Sequence, residues 1–326
     1  MSTDPAHTHT HTHTPAPTQL SEQRLLAWIA SRYQKQSGVI LGPGDDMAIL
    51  ESGRGPLLIA ADPVIEGVHV SRGTDPRKTG AKAVKRNLSD VAAMGALPKS
   101  VVSCVVFNQA WSESAAKQLL EGIDETASAY ACSVVGGDIS IHGGPTVVVI
   151  TLLADTGGVE PLRRSTANAG DHVYVSGLLG GSQAEHQGWT GHLDFTPRVA
   201  LGRTLASNAV LRPTAMMDLS DGLAMDLPRL LAASGGLGAT IELDWLPLNP
   251  ANSGSSDTGW KSALGDGEDY ELLLTHPGDL PAEIEGVPIT RIGQVEPGGS
   301  ALRYLYADGS IVAVEELAGL GWEHHS

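Results

Sequence analysis

The sequence predicts an α/β (α+β) chain of two domains, and three observations carry that expectation. Apolar segments with strand and helix periodicity alternate along it without a long gap. At 326 residues it exceeds one ordinary core. With only two Phe, its interior must be built from Val, Leu, Ile and Ala, which suits layered sheets and helices.

Residues 1–19 form a low-complexity tail in which His7, His9, His11 and His13 alternate with Thr. It holds no core-forming residue, so it is expected to be disordered and dispensable. Ser21 could cap a first helix carrying Leu25, Leu26, Trp28 and Ile29. Met47 to Leu50 then has a strand pattern. Pro56 to Ala61 is an apolar run that sets Asp62 at a strand's C-terminal end. Asp75 and Pro76 look like the N-cap and first residue of a helix whose apolar face is Ala81, Val84, Leu88 and Val91, closed by Gly95 and Pro98. Asn87 and Asp90 then share one face of it. Val101 to Phe107 predicts a buried strand, Ser112 to Tyr130 a helix, and Ser133 to Val135 a short strand feeding a turn at Gly136-Gly137-Asp138. Thr146 to Leu153 predicts another strand.

The apolar pattern lapses between Asp155 and Gly170, which places the domains at 20–158 and 159–326. The second domain opens with a strand at His172 to Ser176, followed by a glycine-rich turn at 177–181. Met216 to Leu219 reads as a strand and Leu223 to Leu231 as a helix ending at Gly235-Gly236. Pro228 is tolerable there if Asp226 caps a fresh helix. Asn249 to Gly259 has loop composition. Strands are expected at Tyr270 to Thr275, Pro288 to Val295, Leu302 to Ala307 and Ile311 to Val314.

A formal net charge of −16, with no Lys/Arg cluster, argues against nucleic acid as a partner. Cys104 and Cys132 lack metal-ligand spacing and could form at most one bridge, so a reduced cytoplasmic setting is expected. No apolar run reaches the ~18 residues of a membrane span.

Five acidic clusters carry the chemistry: Gly44-Asp45-Asp46, Ala61-Asp62, Asn87-Leu88-Ser89-Asp90, Gly136-Gly137-Asp138 and Asp218-Leu219-Ser220-Asp221-Gly222. Each sets Asp beside small or turn-forming neighbours, as turns do generally. Together they would give the all-oxygen shell that Mg²⁺ prefers, and they could not all stay ionised side by side without cations. A Gly-rich loop with Lys-Ser/Thr is missing, so a nucleotide would be held through metals and carboxylates.

Read in order, Gly44-Asp45-Asp46, Glu66-Gly67-Val68-His69, the run Asn87 to Ala96, Asp218-Leu219-Ser220-Asp221-Gly222-Leu223 and Gly267-Glu268-Asp269-Tyr270-Glu271-Leu272 resemble the thiamine-monophosphate kinases of the aminoimidazole-ribonucleotide-synthetase-like superfamily. The resemblance spans Leu41 to Trp322. It implies a two-domain fold in which the N-terminal sheets of two subunits pair across a homodimer, and transfer of the ATP γ-phosphoryl group to thiamine monophosphate. It implies Mg²⁺ ligands at Asp46, Asp62, Asp90, Asp138, Asp218 and Asp221. It also implies ATP contacts at Gly137, Asp138, Arg164 and Ser220, and substrate contacts at His69, Glu268 and Trp322.

Three positions depart from the family pattern. Ala61 stands where Thr or Ser is common, Ile139 follows Gly-Gly-Asp in place of Thr, and Asp266 replaces the first Gly of Gly-Gly-Glu-Asp. No carboxylate is lost. Two alternatives stay open: another ATP-dependent synthetase of the superfamily, or a nucleotide-binding paralogue without turnover, to which Ala61 is the one hint.

Overall fold

In a computed structural model of the chain, residues 28, 32, 39–41, 49–50, 57–182, 185–186, 189–250, 259–299 and 301–321 are described. The His-rich tail, Asp45, Asp46 and Trp322 lie outside them, as does most of the loop expected at Asn249 to Gly259.

The N-terminal half is a four-stranded sheet in the order Leu57–Ile65, Val147–Asp155, Leu97–Asn108, Ser133–His142. The last two strands are parallel and the other neighbours antiparallel. Helices Pro76–Ala93 and Glu113–Ala129 cover one face, and Val148, Ile150, Leu152, Val101, Val105 and Phe107 alternate into the core beneath them. Both helix starts follow their sequence signals. The Asp75 carboxylate accepts from Arg77 N at 2.8 Å, and the Ser112 hydroxyl accepts from Ala115 N at 3.2 Å.

The two helices cross closely because each offers a glycine. A Cβ on Gly122 would stand 2.1 Å from the Arg77 carbonyl oxygen, and one on Gly80 2.1 Å from that of Leu119. Gly122→Ala must therefore push the helices apart. It is expected to cost about 1–3 kcal/mol, read as a lowered melting temperature, and an unchanged one would contradict the packing described.

Two expectations about strands are corrected. Asp62 does not end its strand, which continues through Pro63 to Ile65. This is an edge strand, so the N–H that proline lacks is not missed. Nor do Gly136-Gly137-Asp138 form a turn. The strand runs on to His142, pairing Cys104 with Asp138, with a bulge opposite Val101/Val102 absorbing the irregularity. Gly137 is needed there, since a Cβ would fall 1.9 Å from the Ser103 carbonyl oxygen.

The C-terminal half is a larger mixed sheet in the order Ala215–Asp218, Leu272–His276, His172–Ser176, Val287–Glu296, Gly238–Glu242, Leu302–Leu305, with Glu283–Ile284 paired to Val287–Glu296. Helices Leu223–Ala233 and Gly259–Gly265 bury Leu223, Leu227, Leu230, Trp260 and Leu264 against it. The helix over 223–233 starts at Leu223 with Gly222 as its cap, so Pro228 sits inside it and the fresh start at Asp226 is not found. Asp226 instead turns back, its Oδ2 accepting from Ser220 N at 3.0 Å and Asp221 N at 2.9 Å. The strand expected at Ile311 to Val314 is reduced to one bridge between Leu305 and Ile311, with a short helix from Val314.

A third apolar cluster joins the halves, bringing Ala92 and Ala93 against Leu201, Leu205, Tyr174, Met216 and Leu272. The end of helix Pro76–Ala93 is thereby pressed against the C-terminal half, and the motif Asn87 to Asp90 faces the strand that ends at Asp218. Among the described residues no helix is long and apolar enough to cross a membrane, and Cys104 and Cys132 are both free thiols.

Candidate active site

Three of the predicted ligands lie around the place where the halves touch. Asp90 lies in the last turn of helix Pro76–Ala93, Asp62 on the neighbouring edge strand, and buried Asp218 at the end of Ala215–Asp218. The Ser89 hydroxyl donates to Asp218 Oδ2 at 2.7 Å, so one helical turn supplies both a carboxylate and the group that aims its partner from the other half. Arg86 NH2 stands 3.8 Å from Asp62 Oδ1.

The electrostatics are those of carboxylates buried near one another. Burial pushes the Asp90 carboxyl up to about 8, with the charges of Asp218 and Asp62 adding and those of Arg86 and Arg164 opposing. Asp218 is raised by burial and by Asp62, against the Ser89 hydrogen bond and the charge of Arg164. Beside them, Asn87 Oδ1 is buried without a hydrogen-bond partner. An orphaned amide oxygen next to mutually repelling carboxylates is a donor set of hard oxygens, the kind Mg²⁺ takes. Among the described residues no group of three or more His, Cys, Asp or Glu side chains is placed so as to hold a metal ion by itself.

The other predicted positions fall around this centre unevenly. Asp221 pairs with Arg229, while buried Asp226, its carboxyl pushed up to about 6 by burial, pins the Ser220–Asp221 backbone. The Ser220 carbonyl accepts from Glu268 N at 2.8 Å, tying the two motifs together. Arg164 has an exposed side chain whose charge reaches both Asp90 and Asp218. Asp138 is exposed, in register with exposed Cys104 on the sheet face turned away from the helices, so this chain alone does not bring it to Asp62.

His69 and Glu268, distant in sequence, converge on one side chain that the sequence reading missed. Lys82 Nζ donates to the His69 carbonyl at 2.6 Å and pairs with Glu268 Oε1 at 2.7 Å, with His192 Nδ1 also 2.7 Å away. Burial pulls the Lys82 ammonium down to about 8, against the opposing pull of Glu268. His69 is itself buried, its Nδ1 accepting from Ile65 N at 3.0 Å. Glu268 and Tyr270 both hold positive φ, 54° and 51°, a strained backbone of the sort found where a loop must aim a side chain. The signal for Lys82 was present: Lys78, Lys82 and Lys85 recur at helical spacing, and Lys82 borders the apolar stripe.

A mixed two-layer fold with carboxylates gathered between its halves matches a known class. Residues 44–154 match the family described as AIR synthase related protein, N-terminal domain. The chain is 36% identical over 291 residues to the thiamine-monophosphate kinase of Rhodopirellula baltica, covering 84% of this chain and 89% of that one. The crystal structure of thiamine-monophosphate kinase from Stenotrophomonas maltophilia K279a superposes with a TM-score of 0.75 at 30% identity, over 91% of this chain and 99% of that one. AaThiL complexed with AMPPCP and TMP superposes with a TM-score of 0.70 at 29% identity, covering 93% and 97%. The chain belongs to the thiamine-monophosphate kinase family.

Proposed function

We propose that this protein transfers the γ-phosphoryl group of ATP to the phosphate of thiamine monophosphate, giving thiamine diphosphate, and that it does so directly. The observation that carries the reading is the convergence of Asp62, Asp90 and Asp218 from both halves, in a family whose relatives are thiamine-monophosphate kinases. A relative complexed with AMPPCP and TMP supports ATP and thiamine monophosphate as the two substrates.

Asp62, Asp90 and Asp218, joined by Asp46, Asp138 and Asp221, would hold Mg²⁺. When bound, the cations supply positive charge between two anionic phosphates and so offset their repulsion as the transition state forms. The chain's own part is alignment. Ser89 orients Asp218, Asp226 fixes the Ser220–Asp221 loop, and Arg164 adds charge at the nucleotide side, where Gly137 and Ser220 are assigned. His69, Glu268 and Trp322 are assigned to the acceptor. An acceptor phosphate is already anionic, so no general base and no covalent phospho-enzyme are required.

The division at 158/159 and a homodimer belong to the same reading. The sheet face opposite the helices is open, with Ile59 70% exposed, Ala61 and Cys104 exposed and Val149 half-buried. Apolar residues on such a face are accounted for by a second copy, which would cover Asp138 as well.

ATP carrying a chiral γ-phosphate tests direct transfer. Inversion at phosphorus in the thiamine diphosphate formed is expected, and net retention would overturn the single-step mechanism.

A further inference from the structure

The lysine face of helix Pro76–Ala93 grips the short segment Gly191–Asp194 of the other half. Lys78 Nζ binds Asp194 Oδ2 at 2.8 Å and Lys85 Nζ donates to the Leu193 carbonyl at 3.2 Å, both part-buried contacts. Between them Lys82 is different in kind. Its side chain has no exposed surface, and the contacts of its ammonium are the His69 carbonyl, His192 Nδ1 and Glu268 Oε1.

Burying an ammonium is expensive even when paired, and an apolar side chain of similar volume commonly serves stability as well or better. What an apolar side chain cannot do is fix a carboxylate. Glu268 sits at positive φ in a loop whose backbone hangs from Ser220, and its side chain is 19% exposed, with Oε1 held by Lys82 and Oε2 standing 3.5 Å from His192 Nδ1. Tyr270 Oη donates to the same Oε1 at 3.3 Å, which reinforces the anchoring. The pair also spans the two halves, linking the helix that carries Asp90 to the loop that carries Glu268.

We propose that Lys82 is a positioning residue for the acceptor: it fixes the Glu268 carboxylate in the place where the cationic, thiazolium-bearing substrate is met. This rests on the reading that Glu268 faces thiamine monophosphate. Lys82 does not touch the substrate and acts through Glu268.

The test uses the full-length protein with Lys82→Met, Glu268→Gln and the double variant, measuring both Michaelis constants, kcat and melting temperature. Lys82→Met is expected to raise KM for thiamine monophosphate about tenfold or more, with KM for ATP nearly unchanged. The double variant should bind the acceptor no worse than Glu268→Gln alone, because the two residues act as one unit. If Lys82→Met does not fold, Lys82→Gln, which keeps a donor in the cavity, carries the same expectation. An unchanged acceptor KM in either folded variant, or effects that multiply in the double variant, overturns the proposal. The two readings fail separately. Absence of wild-type transfer to thiamine monophosphate overturns the function, whereas wild-type transfer with Lys82 variants matching its constants overturns only the role of Lys82.

Discussion

Asp90→Asn is expected to lose turnover by about 10²–10³-fold while keeping its fold. Asp90 shares its environment with Asp62 and Asp218, and burial together with their charges already disfavours its ionised form. A neutral amide of the same shape carries no such penalty, so the metal-free melting temperature should hold or rise. The same change removes the charge of a proposed Mg²⁺ ligand, so the rise in melting temperature on adding Mg²⁺ should shrink. Thermal melts with EDTA and with Mg²⁺, run beside steady-state assays, check both halves of the expectation. Near-normal turnover at millimolar Mg²⁺, or a variant that unfolds without metal, would remove Asp90 from the ligand set.

Arg198→Met carries the largest expected loss of stability. Arg198 Nε donates to Glu271 Oε2 at 2.7 Å and its NH2 group pairs with Oε1, while the Ser176 hydroxyl also donates to Oε2. Glu271 is 5% exposed, so removing the guanidinium strands a buried carboxylate. Breaking such a pair costs about 3–5 kcal/mol, a fall of order 10 °C in melting temperature for a domain of this size. Pairing the change with Glu271→Gln should recover part of the loss, since the stranded charge is then gone. A double variant no more stable than Arg198→Met alone would contradict the assignment.

Much of the fold was legible because its signals are local. Asp75 before Pro76 and Ser112 before an apolar stripe are capping chemistry, and the helices begin where those residues put them. The strand at His172–Ser176 follows from its own apolar run. The errors arose where tertiary context overrode the local cue. The apolar run stops before Asp62, yet the strand carries on through Pro63 because it lies at an edge, and Gly136-Gly137 looks like a turn until Leu97–Asn108 is laid beside it. Pro228 looked like a reason to restart a helix, but Gly222 had already capped it.

The site shows the same division. Asp62, Asp90 and Asp218 were legible as acids in small-residue motifs, and the fold gathers them. Lys82, His192 and Arg198 were not, because each acts by meeting a charged group that is remote in the chain. Asp138 marks the other limit. Its motif placed it among the ligands, while its strand turns it to the open face, where the proposed second subunit would lie.

Steady-state ADP release, measured with and without thiamine monophosphate across a Mg²⁺ titration, tests most directly whether carboxylate-held cations join ATP to an acceptor phosphate here. The prediction is ADP release that requires both thiamine monophosphate and Mg²⁺, with thiamine diphosphate formed one for one. ADP release at the same rate without the acceptor, or transfer that survives excess EDTA, would contradict it.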